Sequence, residues 1–497
     1  MGGINLDFVI VDALGSVQAV LAEILLTALL LVVLAVDLIR RESQRRETAF
    51  IAGVGMILIL IANLILAPAP GGSVEAQLFL GGMVRHDTLA QIFRSVVLLA
   101  GALTCLISAD APRVGRRGEY YAIVIAATLG MCLMSAAADL IMVLVALETT
   151  SLSLYLLVGF LRGDVKSAES GVKYFLFGAF TSAVLLYGLS LLYGFTGRTS
   201  LYGLSDALLA AGLEPGHVFV VLVMVIVGFG FKVSAVPFHF WTPDVYEGAP
   251  TPITAFISVG SKAASFALLM RFVLAVFPSY QDYWVVVIAA LSAVTMSLGN
   301  LLALVQRNIK RLLAYSSIAQ AGYALMGVAA VAADNSLGTG AVVFYMVMYT
   351  LTNLAAFTVV ILVERVVGGS EIVDLAGLHE RAPRLALAMF LALLSLGGIP
   401  PLAGFAGKLF LFSAAVDAGL VWLAVVGVIN ALVSLYYYLV VVKVMYVDRP
   451  AHADKAIPVS RPYVFSLAVT LVGIVLLGTL LIGPWLDWST AAASGLF

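Results

Sequence analysis

The residues of this chain best suited to chemistry are lysines that lie inside long apolar stretches. Lys232 and Lys262 occupy successive apolar runs, and Pro237 lies between them. A charge at the centre of a membrane costs a few kcal/mol at least, and such residues usually face a bundle interior or a water-filled path. Two buried lysines beside a helix break therefore indicate a route for protons or ions.

Six ionisable residues are candidates for a place inside the membrane. They are Glu148, Lys173, Lys232, His239, Lys262 and Lys408. Glu148 has no other acid nearby, so Lys232 is its expected partner, because either charge alone would be costly. Packing roles are the alternatives: a structural ion pair for Glu148, snorkelling for Lys173, and a satisfied interfacial histidine for His239. Lys443, near the end of an apolar run, is assigned to snorkelling.

Lysine suits such a route because its affinity for a proton depends strongly on its surroundings. Burial lowers the pKa of an amine toward neutrality, whereas a nearby carboxylate raises it. A unit charge at ~7 Å in an effective dielectric near 20 is worth about 2.4 kcal/mol, or nearly two pKa units. A change in the charge or distance of Glu148 is therefore expected to load or discharge Lys232, and further lysines would pass the change along.

The composition is that of an integral membrane protein. Of the 497 residues, 62% are hydrophobic and 11% are charged, with a mean hydropathy of +1.09; soluble domains carry about 25% charged residues. The net charge of -1 argues against a nucleic-acid partner. Cys105 and Cys132 fit no metal or redox motif, so we expect no cofactor chemistry in this chain. The N-terminus has no basic region and does not resemble a signal peptide.

The apolar runs predict about fourteen membrane spans, since crossing ~30 Å of hydrocarbon takes about 20 residues. Their approximate bounds are 16–39, 49–67, 88–108, 119–137, 138–161, 169–195, 216–240, 251–276, 283–305, 311–332, 338–365, 385–415, 418–446 and 462–484. The boundary between the fourth and fifth, at Ala138 and Asp139, is the least distinct. The predicted fold class is therefore all-α integral membrane, with no soluble domain between the spans.

Basic residues alternate between the two ends of these spans. Most of them follow odd-numbered spans: Arg40, Arg41, Arg45, Arg46, Arg113, Arg116, Arg117, Arg162, Lys166, Arg307, Lys310, Arg311, Arg365, Arg381, Arg384, Arg449, Lys455 and Arg461. The alternate loops hold little beyond Arg85, Arg198 and Arg271. Under the positive-inside rule, both termini lie outside, on the periplasmic side of a bacterial cell membrane.

Two motifs recur in the second half of the chain. The pentapeptide GFGFK, which ends at Lys232, recurs as GFAGK, which ends at Lys408, and segment 148–159 resembles segment 315–327. Spans four to eight and nine to thirteen thus form two five-helix units, and an odd number of helices inverts the second unit. We divide the chain into three N-terminal helices (1–118), a first repeat (119–276), a second repeat (277–447), and a C-terminal helix with its tail (448–497).

Each repeat is expected to contain a discontinuous helix in its fourth position. Pro237 has no N–H and clashes with the carbonyl of Val233, which frees a backbone oxygen beside Lys232. The sequence GGIPP at 397–401 breaks the corresponding helix before Lys408. Irregular backbone at membrane depth is tolerated where it lines a cavity or is buried in protein; a packing kink is the alternative.

Five longer motifs resemble those of the N-type antiporter-like subunits of proton-pumping NADH:quinone oxidoreductase, respiratory complex I. They are ALETTSLSLYLLVGF, ESGVKYFLFGAFTSA, FKVSAVPFHFWTPDVYEGAPTPITAFISVGSKAA, QRNIKRLLAYSSIAQAGYALMG and GIPPLAGFAGKLFLF. Together they cover roughly residues 119–412 and are far more specific than a short pattern. The first three spans match only in hydropathy, and the last two match weakly.

The resemblance implies a membrane-arm subunit with an inverted-repeat fold and no cofactor of its own. The parent complex would hold FMN, iron–sulfur clusters and a quinone. Glu148 and Lys232 match the coupling ion pair, Lys262 matches the central lysine, and Lys408 matches the terminal residue of the second half. The implied partners are the M-type subunit, the small K-, J- and A-type subunits, lipid and protons.

Other positions refine the resemblance. Lys173 and His239 fall on positions that are accessory in the family. A lysine rather than a glutamate at Lys408, and the lack of a long C-terminal extension, favour the N type over the M and L types. Gln320 stands where the family often has histidine, which removes a titratable group from the central path. Ala406 replaces a usual aromatic residue and leaves space.

The expected function is proton translocation coupled to quinone reduction elsewhere in the complex. One alternative is a subunit of a multi-subunit cation/proton antiporter or of a related membrane-bound oxidoreductase. Another is a scaffold whose charges only hold helices together.

Overall fold

The computed structural model describes residues 16–39, 46–66, 76–111, 113–331, 336–449 and 457–496. Within these ranges, thirteen helices are long and apolar enough to cross a membrane. The chain is therefore a multi-pass membrane protein, as its composition predicts. The remaining predicted span, 385–415, consists of two shorter helices separated by a break. The N-terminal segment and four of the basic residues used for orientation lie outside the described ranges: Arg40, Arg41, Arg45 and Lys455.

Three membrane helices precede the predicted repeats. They are α1 (Leu21–Ile39), α2 (Arg46–Ile65) and α3 (Thr88–Ser108). Between α2 and α3, the strands β1 (Gln77–Phe79) and β2 (Val84–His86) form a short antiparallel hairpin that the all-helical prediction omitted. Asp87 caps α3 by accepting a hydrogen bond from the Ala90 N–H at 2.8 Å, which satisfies one of the free N–H groups at the helix start.

The next helices form a first series that ends before residue 277. They are α4 (Gly118–Ala136), α5 (Leu140–Val158), α6 (Val165–Thr196), the short α7 (Leu201–Ala210), α8 (Pro215–Val233), α9 (Trp241–Gly248), α10 (Thr251–Phe256) and α11 (Lys262–Val276). The π-helical turn Ile257–Ser261 joins α10 and α11 into one span. Asp139 caps α5 by accepting a hydrogen bond from the Ile141 N–H at 2.8 Å, and so defines the boundary that hydropathy left indistinct.

A second series repeats this order. After the 3₁₀ turn Pro278–Tyr280 come α12 (Gln281–Ala303), α13 (Ile309–Ala330), α14 (Ser336–Val367), the 3₁₀ turn Ile372–Leu375, the short α15 (Leu378–Arg381), α16 (Pro383–Gly397), α17 (Ala403–Asp417) and α18 (Val421–Tyr446). The third helix has 32 residues in both series, and the fourth is broken in both. The chain continues with α19 (Arg461–Gly478), α20 (Ile482–Ala491) and the 3₁₀ turn Ala492–Gly495.

Each broken helix ends at a residue with left-handed backbone geometry. Ser234, with φ of 65°, follows α8, and Gly398, with φ of 84°, follows α16. The sequence predicts a kink at Pro237, but α8 already ends at Val233, so Lys232 lies in its last turn rather than in the middle of a helix. A positive charge in the last turn is favoured by the helix dipole.

The two matching pentapeptides lie on opposite sides of their breaks. GFGFK forms the end of α8, before the first break, whereas GFAGK lies at the start of α17, after the second break. Lys232 and Lys408 therefore do not occupy equivalent positions in the helix order, and the match between the motifs overstated the symmetry. The glycine at Gly404 has its own packing reason, because an added Cβ would lie 1.7 Å from the Ser395 carbonyl oxygen.

A buried ion pair joins the N-terminal helices to the first series. Arg271 of α11 lies 2.6 Å from Asp87, and both side chains are fully buried. Arg271 also donates to the Tyr202 hydroxyl at 2.8 Å and to the Ser135 carbonyl oxygen at 3.1 Å. Arg271 was counted with the alternate loops although the predicted span 251–276 already included it, and the structure places it inside α11.

Candidate functional site

Lys232 is buried at the end of α8, where its ammonium meets α5. Its Nζ donates a hydrogen bond to Ser151 Oγ, which donates in turn to the Leu147 carbonyl oxygen. The rings of Phe231 and Tyr155 lie 5.4 Å and 6.0 Å from Nζ. One hydroxyl and two aromatic faces replace less solvation than an ammonium loses on burial, so the protonation of Lys232 depends strongly on nearby charge.

Glu148 lies one turn before Ser151 on α5 and is only half-buried. Its Oε1 accepts a hydrogen bond from Ser182 Oγ of α6 at 2.7 Å. A direct ion pair between Glu148 and Lys232 was predicted; instead, the structure places one serine hydroxyl against each charge. Glu148 and Ser151 lie one turn apart on α5, so the carboxylate lies near Lys232 without an ion pair among the described contacts. A charge on Glu148 therefore acts on Lys232 through the electric field and not through direct contact.

Lys262 follows the π-helical turn directly and is 2% exposed. Its Nζ donates to the carbonyl oxygen of Ser317 at 2.8 Å and to the hydroxyl of the same residue. The Tyr349 hydroxyl also donates to Ser317 Oγ, at 2.7 Å. A serine hydroxyl accepts twice and donates once, so Ser317 donates to the Tyr246 hydroxyl at 3.1 Å. Lys262 is thus held by groups that can exchange protons.

Lys408 is held mainly by backbone. From α17, its Nζ reaches back across the break and donates to the carbonyl oxygens of Leu396 at 2.9 Å and Gly397 at 3.2 Å. These carbonyls belong to the last turn of α16, which has no helical N–H partners for them. The ring of Tyr323 lies 4.8 Å from Nζ and adds a cation–π contact.

Polar groups join the surroundings of Lys262 to those of Lys408. Ser316, next to the serine that binds Lys262, is hydrogen-bonded to the Tyr438 hydroxyl at 2.5 Å. Gln320 Nε2 donates to that hydroxyl at 3.2 Å and to the Leu396 carbonyl oxygen at 3.1 Å. Leu396 therefore accepts from both Gln320 and Lys408. Buried polar groups thus link the surroundings of the two lysines.

Gln320 occupies the middle of this connection. The Tyr345 hydroxyl donates to its Oε1, so its amide NH₂ group is free to face Tyr438 and Leu396. An amide bonds to its neighbours on both sides but keeps its charge state. Gln320, which was predicted to remove a titratable group from the path, therefore still joins the two sides of the path by hydrogen bonds.

Lys173 belongs to a surface network rather than to the buried set. Six residues of alternating charge form this rim network: Glu169, Lys173, Asp244, Arg311, Glu247 and Lys166. Lys173 Nζ lies 2.7 Å from Glu169 and 2.6 Å from Asp244, and its side chain is 39% exposed. Arg311 joins Asp244 at 2.8 Å to Glu247 at 3.0 Å. The network ties α6, α9 and α13 together.

Two further predicted features have different surroundings from those expected. His239 is buried between α8 and α9, its Nδ1 has no hydrogen-bond partner among the described residues, and its ring lies 4.6 Å from that of Phe240. Ala406, expected to leave space, is 1% exposed. The cavity beside Lys408, of about 270 Å³, is lined by other residues of α17, by α18 and by the glycines at the end of α16.

Several residues that complete the site were not singled out from the sequence. Tyr349 and Asn353 lie in an apolar span, where pattern alone does not separate them from packing residues. Lys310 was counted with a basic loop, but it is buried inside α13. Asn308 caps that helix by accepting from the Lys310 N–H at 3.0 Å. An asparagine two residues before the lysine was the available signal of a helix start.

The broken helices, the buried lysines and the repeated helix order define a membrane subunit of the antiporter-like type. Residues 137–434 match the family described as NADH:quinone oxidoreductase/Mrp antiporter, transmembrane. NADH-quinone oxidoreductase subunit N of Moorella thermoacetica is 42% identical over 467 residues, covering 94% of this chain and 96% of the relative. The chain belongs to this NADH-quinone oxidoreductase subunit N family, and the predicted resemblance is confirmed.

Solved structures agree with this assignment. A chain of respiratory complex I from Thermus thermophilus with bound aureothin superposes with a TM-score of 0.76 at 33% identity, covering 93% of this chain and 97% of that chain. A chain of the Mrp complex from Dietzia sp. DQ12-45-1b has a TM-score of 0.82 at 21% identity, with coverage of 97% and 98%. The second likeness shows a shared fold alone.

Proposed function

We propose that this chain is a proton-translocating membrane subunit of NADH:quinone oxidoreductase, which works while quinone is reduced elsewhere in the complex. The observation that carries the proposal is the polar connection from Lys262 to Lys408 through Ser316, Tyr438 and Gln320. The subunit N relatives support the identity of the parent complex.

The chemistry is proton exchange between neighbouring groups. A lysine changes between ammonium and amine, and hydroxyl groups donate one proton while they accept another. Each proton that leaves one lysine is taken by a water or by the next lysine. A change of charge at Glu148 alters the field at Lys232, and a discharged Lys232 no longer opposes the charging of Lys262.

The setting of the chain follows the same proposal. The basic loops lie on the cytoplasmic side of a bacterial cell membrane, and the two termini lie on the periplasmic side. The partners are the M-type subunit, the small K-, J- and A-type subunits, lipid and protons. FMN, the iron–sulfur clusters and the quinone belong to the parent complex, and we assign no cofactor to this chain.

The test is to replace Lys262 by methionine in the intact complex. Lys262→Met keeps the length of the side chain but cannot carry a proton, so NADH-driven proton pumping in sealed vesicles is expected to fall to background. Lys443→Met is the matched control, because Lys443 lies at the end of α18 with its side chain 64% exposed. Normal pumping by the Lys262→Met complex, with its full subunit content, would overturn the proposal.

A second assay separates this function from that of a cation/proton antiporter. The purified complex is reconstituted into vesicles and given a sodium gradient without any electron donor. The proposed function predicts no movement of protons until NADH and quinone are added. Sodium-driven proton movement that Lys262→Met abolishes would favour the antiporter instead.

A further inference from the structure

A cavity of about 450 Å³, here called the arginine cavity, opens where α4 begins and α5 ends. Small-molecule sites have volumes of about 300–1,000 Å³, so the arginine cavity is large enough for a ligand. It lies at the end of the bundle that carries the basic loops, which is the predicted cytoplasmic side. The arginine cavity therefore lies at the level where lipid headgroups meet the protein.

The outer wall of the arginine cavity carries more positive than negative charge. Its lining holds three arginines and one carboxylate: Arg113, Arg117, Arg162 and Glu119. Arg117 lies 4.0 Å from Glu119, and Arg113 lies 2.8 Å from Asp164. Arg162 is exposed and has no ion pair among the described residues. The outer wall therefore keeps a net positive charge that these carboxylates do not neutralise.

This charge is of a kind that suits phosphate. A guanidinium group presents several N–H donors in a planar fork, which matches the oxygens of a phosphate in pairs. Arg117 immediately precedes α4, and its side chain makes no capping hydrogen bond. The free N–H groups at the start of that helix add to the positive potential. The outer wall therefore favours an anion with several acceptor oxygens.

The inner wall is apolar and continues toward the middle of the membrane. Ile123 of α4 and Leu156 of α5 line the arginine cavity, and Leu156 is 62% exposed. One turn deeper on α5, Leu152 is 53% exposed. On α4, the half-buried Ala126 and Leu129 follow Ile123. Spacings of three and four residues keep each set on one helix face, so an apolar strip begins at the arginines and runs into the hydrocarbon.

The continuity of the two walls selects the class of ligand. A soluble anion would use the arginines alone, and an uncharged chain would use the apolar strip alone. A phospholipid joins a phosphate to acyl chains and therefore fits both walls at once. Basic pockets between membrane helices on the cytoplasmic side are typical sites for anionic lipid headgroups.

We propose that the arginine cavity binds one anionic phospholipid of the cytoplasmic leaflet. Its phosphate lies between Arg117 and Arg162, and an acyl chain lies along Leu156 and Leu152. The bound lipid joins the start of α4 to the end of α5, the helix that carries Glu148. The inference does not rest on the proposed function, because it needs only the charge and shape of this cavity.

The experiment uses a phosphatidylglycerol that carries a photoreactive group near the start of one acyl chain. The probe is added to the purified intact complex after residual lipid has been removed, and peptide mapping locates the label after illumination. We expect the label in segments 123–129 and 152–161. Excess unlabelled phosphatidylglycerol should prevent the labelling, whereas phosphatidylcholine and inorganic phosphate should not.

Paired variants test the arginines. Each basic residue near an anionic headgroup contributes about fivefold, so Arg117→Gln combined with Arg162→Gln should raise the probe concentration for half-maximal labelling about 25-fold. Arg307→Gln combined with Arg384→Gln is the matched control, because it removes two exposed arginines from the same side of the membrane but outside the cavity lining. This control is expected to label as the wild type does. R117K/R162K keeps both charges and should retain most of the labelling.

Equal labelling curves for wild type and R117Q/R162Q would overturn the inference. Equal competition by phosphatidylcholine would also overturn it, because the surface would then be merely apolar, and competition by inorganic phosphate would point to a soluble anion instead. A wild-type complex without label in either segment would show that another subunit covers the arginine cavity, and this result would contradict the proposal as well.

Discussion

The two helix breaks each stabilise a buried lysine, but they do so in different ways. At the first, Lys232 precedes the break and donates a hydrogen bond to the side-chain hydroxyl of Ser151, one turn from Glu148. At the second, Lys408 follows the break and donates to two backbone carbonyls of α16. The first lysine thus depends on a hydroxyl that can rotate and on an acid that can change its charge. The second depends on carbonyl groups fixed by the backbone.

This difference gives the two halves different parts in the proposed function. In the proposed function, the charge of Lys232 responds to the charge of Glu148, which is only half-buried. Lys408 has no carboxylate among the polar contacts that the structure describes for it, so its charge responds to the connection from Lys262. The first break therefore receives a signal, and the second completes the path.

The largest of the three effects that sharpen this comparison is expected at Ser151. Ser151→Ala removes the hydroxyl that bonds to Lys232 and leaves an ammonium less well solvated, which costs about 1–3 kcal/mol or roughly tenfold in rate. Ser151→Thr keeps the hydroxyl and is the control. Initial rates of NADH-driven pumping in sealed vesicles are the measurement. Equal rates in wild type and Ser151→Ala would show that the first break does not depend on its side-chain partner.

A smaller effect is expected at the second break. Lys408 is held there by backbone carbonyl oxygens, which a side-chain substitution does not remove. Tyr323→Leu deletes the ring that faces Lys408 and costs about 1 kcal/mol, or roughly fivefold in pumping rate. Tyr323→Phe keeps the ring and should pump normally. Loss of pumping in Tyr323→Phe would mean that its hydroxyl takes part, contrary to a second break held by backbone and an aromatic face.

The smallest effect is expected in the rim network. Lys173→Gln breaks two ion pairs that are partly exposed, and such pairs contribute about 0–1 kcal/mol. Pumping is expected to stay within about twofold of wild type, because the described contacts of Lys173 are with Glu169 and Asp244 and not with Lys232, Lys262 or Lys408. A complete loss of pumping in an assembled Lys173→Gln complex would move Lys173 into the path.

The outline of the fold was predictable because it follows from simple rules. Apolar runs of sufficient length marked the spans, and Pro237 with the GGIPP segment marked both breaks. The order of lysine and break also followed from the sequence, since Pro237 comes after Lys232 and GGIPP comes before Lys408. The exact end of α8 was not predictable, because the helix ends at Val233, before the left-handed residue Ser234 and before the proline is reached.

The partners of the buried charges were harder to predict than their positions. Hydropathy fixes how far a residue lies along a span, but the rotation and depth of neighbouring helices decide what it touches. For this reason Lys232 donates a hydrogen bond to Ser151 and not to Glu148, and the buried Arg271 pairs with Asp87. Lys310 shows the opposite error, since a cap at Asn308 turned an expected loop residue into part of a helix.

The most direct test of the central claim, that these charges exchange protons instead of only holding helices together, uses three complexes. They carry Glu148→Gln, Lys232→Met, or both changes, and NADH-driven proton pumping is measured at equal subunit content. If the charges only neutralise each other, each single change leaves the other charge uncompensated and the double change repairs it. We predict that all three complexes fail to pump. Wild-type pumping by the double variant would contradict the account.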